Sequence, residues 1–162
     1  MKIATCISRG RSRRGFLGGL AVLLLAPLLA PRRAGAQGRD VVSLVPPVKD
    51  VLRGMPARPG RVEIDTPLLA ENGHSVSVTV TVQSPMTAAD HVRSLYLVSE
   101  KNPRPLIARF DLGPRAGRAE VYTRIRLAGS QHVAAVAQMA DGSFWYATAE
   151  VNVTESACLD AS

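Results

Sequence analysis

The residue with the most chemistry to offer is a thiol near the end of the chain. Cys158 stands in the run Thr154-Glu155-Ser156-Ala157-Cys158-Leu159-Asp160-Ala161-Ser162, polar on both sides of it. A thiolate is a nucleophile and can carry a covalent adduct. On a short terminal arm it can be placed inside another protein's pocket, which a thiol in a core cannot. The arm is read as Ser156, Ala157, Leu159 and Asp160 around Cys158, following a last strand that ends at Thr154. Four residues from Thr154 to Cys158 extend at most about 13–14 Å. The carboxylates of Glu155 and Asp160 are expected to hold the thiol pKa at or above its free value. Activation then falls to a partner's positive pocket, which suits a carrier better than a self-sufficient catalyst.

The remaining candidates are weaker. His74, His91 and His132 are scattered without metal-ligand spacing, so no metal or other cofactor is expected. Asp90-His91 with Ser84 or Ser94 has the residue types of a hydrolase but no nucleophile-elbow motif. No glycine-rich phosphate loop follows a strand. Arg115, Arg118, Arg124 and Arg126, with Glu120 and Asp111 nearby, read as a solvated face. Asn152-Val153-Thr154 fits a glycosylation sequon, which a bacterial-type leader makes irrelevant. No catalytic residue is assigned.

The beginning of the chain explains why Cys158 stands alone. Ser12-Arg13-Arg14-Gly15-Phe16-Leu17 is a twin-arginine export signature, followed by an apolar run over 17–30 and the small-residue cleavage site Ala34-Gly35-Ala36. The run is short and interrupted by Gly and Pro, so no membrane span is expected to remain. Cleavage after Ala36 removes Cys6, leaves 162 − 36 = 126 residues and predicts a periplasmic protein. A leftover cysteine in an exported chain points to a working thiol or an intermolecular bond. The formal charge of +7 also belongs to the leader. The leader holds seven basic residues and no acidic one, so the mature chain has 20 − 7 = 13 basic against 13 acidic groups. That balance gives no reason to expect nucleic acid as a partner.

The elements that must hold the arm are mostly strands. Residues 37–60 read as an N-terminal helix and linker: Pro47 to Gly54 has the signature of one short helix, and Pro56 and Pro59 stop anything longer. Strands are predicted over 61–65, 75–82, 94–99, 107–112, 120–127, 132–139 and 143–149, with 151–153 continuing the last one or forming a separate edge. In 75–82 four valines alternate with four hydroxyls, so that sheet is covered on one face and open to water or a partner on the other. Glu71 to His74 reads as a turn, and Asp141-Gly142 is a hairpin signal. This pattern predicts one all-β domain over 61–154, an immunoglobulin-like antiparallel β-sandwich, with the cysteine arm over 155–162.

From Leu68 onward the sequence resembles the SoxY family, sulfur-carrying subunits of the periplasmic Sox thiosulfate-oxidation system. The matching landmarks are Ala70-Glu71-Asn72-Gly73, Val78-Thr79-Val80, Ser84-Pro85-Met86, Glu100-Lys101-Asn102-Pro103, Thr123-Arg124-Ile125-Arg126-Leu127-Ala128 and Met139-Ala140-Asp141-Gly142-Ser143. The resemblance implies an immunoglobulin-like sandwich, a heterodimer with a SoxZ-like subunit, and a swinging arm whose cysteine, here Cys158, carries a sulfur adduct between partner enzymes. The familiar SoxY arm reads Gly-Gly-Cys-Gly-Gly. Ser156 to Asp160 is closer to a related arm reading Ala-Ala-Cys-Ile-Glu, so thiosulfate as cargo does not carry over. The competing readings are an assembly module with a vestigial cysteine and an exported thiol oxidoreductase, the latter lacking a resolving cysteine. Replacing Arg13 and Arg14 together by lysine is expected to strand the protein in the cytoplasm. Unchanged periplasmic yield on fractionation overturns the export reading.

Overall fold

The computed structural model describes residues 40–157. Expectations that fall on 1–39, including the leader with Arg13 and Arg14, and on Cys158, Leu159 and Asp160, lie outside the described residues. Two short helices, α1 (Val41–Leu44) and α2 (Val48–Leu52), precede nine strands. These are β1 (Ala57–Pro59), β2 (Val62–Asp65), β3 (Leu69–Asn72), β4 (Val76–Val82), β5 (Val92–Ser99), β6 (Leu106–Asp111), β7 (Glu120–Ile125), β8 (Gln131–Met139) and β9 (Phe144–Glu155).

The alternating valines of β4 organise the smaller sheet, in the order β2-β4-β7, with Val62 opposite Val82 and Val76 opposite Ile125. Val76, Val78, Val80 and Val82 are buried while Ser77, Thr79 and Thr81 stay half-buried on the outer face. Full burial is worth about 1.5–3 kcal/mol per valine, and the period of two directs all four inward. They pack on Leu95 and Leu97 of β5, Val133, Ala135, Ala137 and Met139 of β8, and Val151 of β9. That packing makes the two-sheet sandwich expected from the sequence.

The larger sheet runs β1-β9-β8-β5-β6, with β3 also pairing β9. Its main ladders are antiparallel, but β1 and β3 run parallel to β9, which departs from the wholly antiparallel expectation. Ala57 pairs with Phe144, and Leu69 pairs with Asn152. Asn152 N donates to Leu68 O whereas Val153 N donates to Ser130 Oγ. Successive amides point to opposite sides of a strand, so β1 and β3 line the edge of β9 away from β8. Pro59 is accommodated because β1 is an edge strand. Residues 71–72, read from the sequence as part of a turn, belong to β3, and β9 continues through 151–153 without a break.

The outer face of this sheet is covered too. Val41, Val45, Val48 and Leu52 pack on Val98, Ala134, Val136, Phe144 and Tyr146 in a second apolar core. The helix expected over Pro47 to Gly54 is α2, α1 is an additional helix ahead of it, and the left-handed cap of α2 is Arg53 at φ 51°, one residue before Gly54. Leu52, 4% exposed, closes this second core. Leu52→Ala is expected to cost about 2–4 kcal/mol in urea denaturation. A loss near zero would mean that the helices add nothing to stability.

Candidate functional site

Strand β9 delivers the chain to the residue before Cys158, and its last turn of backbone is fixed by three bonds. Gly73 N donates to Glu155 O at 2.7 Å, Leu127 N donates to Gly73 O at 2.8 Å, and Ala157 N donates to Leu127 O at 3.2 Å. Gly73 is thus the crossing point of the β3 end, the β7 exit and the tail. A methyl group on Gly73 would lie 2.4 Å from Leu127 O, 2.9 Å from Ala157 N and 3.1 Å from Val153 Cγ1. Only glycine fits, because of crowding by backbone rather than because of an unusual dihedral.

A polar network holds the loop after β7 in place. Asn102 Nδ2 donates to Arg126 O at 2.8 Å, while its Oδ1 accepts from Ala128 N at 3.0 Å and Gln131 Nε2 at 2.9 Å. Gln131, 3% exposed, also accepts from Lys101 N at 2.8 Å and donates to Gly129 O at 3.2 Å. Such a buried amide is tolerable because both ends are satisfied. Lys101 Nζ donates to Ser130 O at 2.7 Å, and Ser130 Oγ accepts from Val153 N at 2.8 Å. Glu100 Oε2 accepts from His132 N at 3.0 Å and lies 3.1 Å from His132 Nδ1. The His132 backbone amide, helped by its ring and by Lys101, holds the Glu100 carboxyl below its usual pKa against the effect of burial.

The arm begins later than the sequence suggested. Strand β9 reaches Glu155, and Ala157 is buried at 3% exposure, so Ser156 and Ala157 lie on the sandwich rather than beyond it. Ser156 is exposed, close to Gly129. Cys158 follows directly, one Cα step of about 3.8 Å from the anchored Ala157. The expected four-residue reach from Thr154 is shortened accordingly.

The histidines do not converge. His74 N caps onto Asn72 Oδ1, His91 Nδ1 bonds Thr87 O at 3.0 Å, and His132 belongs to the Glu100 pair. Among the described residues no group of three His, Cys, Asp or Glu could hold a metal ion. Ser84 Oγ donates to Asp90 O and Ser94 Oγ donates to Asp111 Oδ1, so neither hydroxyl is paired with His91. Arg118 pairs loosely with Glu120 at 3.8 Å on an exposed surface, as a solvated face requires. Gly73, Asn102 and Gln131 carry roles that sequence reasoning did not assign. Their signals were an Asn-Gly pair at 72–73 and a glutamine at the first position of the mostly apolar β8.

The described residues thus form a two-layer sandwich that fixes the backbone at Ala157, the residue before Cys158 in the sequence. The family model described as sulfur oxidation protein SoxY matches residues 48–158. The chain belongs to the SoxY family. Among solved structures, the sulfur carrier protein SoxY from Chlorobium limicola f thiosulfatophilum is 29% identical, with a TM-score of 0.56 over 67% of this chain and 94% of that one. A superoxide reductase (neelaredoxin) variant from Ignicoccus hospitalis is 23% identical, with a TM-score of 0.51 over 57% of this chain and 78% of that one. The superoxide reductase from Nanoarchaeum equitans is 14% identical, with a TM-score of 0.50 over 59% of this chain and 100% of that one. The two reductases share the fold alone. No curated protein matches the chain.

Gly73→Ala is expected to push the tail off Leu127. Amide hydrogen exchange at Ala157 should speed up markedly, with a stability loss of about 1–3 kcal/mol. Unchanged protection at Ala157 would remove Gly73 from the site.

Proposed function

We propose that this protein is a periplasmic, non-enzymatic carrier of the SoxY type, exported through the twin-arginine pathway, that holds a sulfur compound covalently on Cys158. The observation that carries the reading is the anchored root. Three family landmarks, 70–73, 100–103 and 123–128, meet around the backbone that leads to Cys158. Spending a buried glycine and a satisfied amide network on a chain end makes sense if the position of the next residue matters. The likeness to a solved sulfur carrier supports the same reading.

The division of labour follows from what surrounds the root. The described residues there offer backbone groups, amides and the Glu100–His132 pair, and His132 is turned to Glu100. The chain supplies placement, and partner enzymes supply the chemistry on the sulfur. A SoxZ-like subunit is the proposed standing partner. The outer face of the small sheet supports a docking role: Tyr122, 63% exposed, stands there beside Ser77, Thr79 and Thr81, with Glu120 and Arg124 exposed on either side of it along β7. An exposed tyrosine among small hydroxyl side chains has the make-up of an interface centre.

The test is intact-mass analysis of protein purified from the periplasm of its own host during growth on reduced sulfur compounds. The wild-type protein should carry an adduct that reductant removes, and Cys158→Ser should carry none and fail to support sulfur oxidation. A fully functional Cys158→Ser protein would sink the carrier reading and leave an assembly module with a vestigial cysteine.

A further inference from the structure

A groove of about 500 Å³ runs along the outer face of the large sheet, between α2 and the edge strand β6. Helices α1 and α2 cover the neighbouring surface over β8 and β9, and the groove begins where that cover stops. Pro47, Val51, Pro105, Leu106 and Phe144 give it apolar walls, and Leu106 is 48% exposed. Its charged lining is Arg53, Arg93 and Arg109 against the single carboxylate of Asp50.

The arginines are held in different ways. Ser94 Oγ donates to Asp111 Oδ1 at 2.6 Å, and the same oxygen accepts from Arg109 Nε at 2.9 Å and Nη2 at 2.8 Å. The Arg109 guanidinium lies 5.6 Å from the Tyr96 ring centroid, so it is fixed by an ion pair on one edge and an aromatic face beneath. Arg53 enters the groove from a left-handed backbone at φ 51°, a position that favours glycine. Arg53 and Arg93 are exposed and make no ion pair within 4 Å with a described residue. Two guanidinium forks therefore remain available, and guanidinium matches a carboxylate in a bidentate fashion.

We propose that this groove docks an extended acidic segment of a partner protein, one that alternates carboxylates with apolar side chains. The carboxylates meet Arg53 and Arg93, and the apolar residues rest on Val51, Leu106 and Phe144. The volume is far larger than a free oxyanion needs and suits several side chains. None of the lining residues belongs to the tail root, so the surface is separate from the carrier site and does not rest on that reading.

The experiment uses the mature protein and an end-capped six-residue peptide of alternating glutamate and leucine, followed by calorimetry and by NMR of the Tyr96 ring. A Kd below about 1 mM is expected, weakened about tenfold or more by Arg53→Glu with Arg93→Glu. Salt should weaken it several-fold between about 50 and about 300 mM. Leu106→Asp should weaken it as well, and a lysine–leucine peptide should not bind. Arg93→Gln serves as a milder variant, and thermal melting verifies that each variant is folded. Absence of binding, binding indifferent to the arginine reversals, or displacement by equimolar sulfate would each overturn the proposal, the last by reducing the groove to a small-anion site.

Discussion

The backbone crossing at Gly73 is the constraint on which the C-terminal end of the described chain depends. Three segments far apart in sequence meet there through Glu155 O, Leu127 N and Ala157 N, with less than a methyl group of room between them. Everything else near the root serves to keep the second of these segments still. Asn102 pins the carbonyl of Arg126 and the amide of Ala128 on either side of Leu127, and Gln131 braces Asn102 from beneath. The result is a tail whose last described residue is as buried as the core, although it lies close to a polar chain end.

Around that crossing the sandwich is asymmetric. The three-stranded sheet buries one face, and its outer face carries hydroxyls and Tyr122. The larger sheet buries one face against β4 and, over β8 and β9, the other under α1 and α2. The run Val133-Ala134-Ala135-Val136-Ala137 in β8 reflects this: every residue is fully buried, and the small alanines let layers on both sides approach. An ordinary amphipathic strand could not occupy that position without burying polar side chains.

The parts of the fold that follow a strict period were legible in advance. Strand β4 alternates so regularly that its inward valines could be named, and Asp141-Gly142 gave the β8–β9 hairpin, with Ser143 bonded back to Asp141 Oδ1. The short edges were not legible. Three residues of β1 around two prolines and four of β3 ahead of an Asn-Gly pair carry turn chemistry in their own sequence. They are strands only because β9 offers them an edge. The same holds for the root: Cys158 stood out as a lone thiol, but the anchoring of Ala157 depends on a contact between positions that no local pattern links. Asn102, Lys101 and Gly73 were visible as landmarks of a resemblance, and their physical purpose emerges only when the loops that carry them are brought together.

The parallel edges of β9 also dictate an order of assembly. Ala70 and Thr154, 84 positions apart, meet through the Thr154 hydroxyl, and among the described residues β1 and β3 have no ladder partner other than β9. As the chain is synthesised, the smaller sheet and the β5–β6 hairpin can form early. Strand β8 then waits with one edge unpaired, and β1 and β3 remain loose until residues 144–155 exist. Loop closure of this length slows folding, because β9 has to reach both β8 and the two short strands. A nascent or truncated chain without β9 therefore has neither a closed sheet nor a place for the thiol. The backbone crossing that anchors Ala157 exists only in molecules whose sheet is complete.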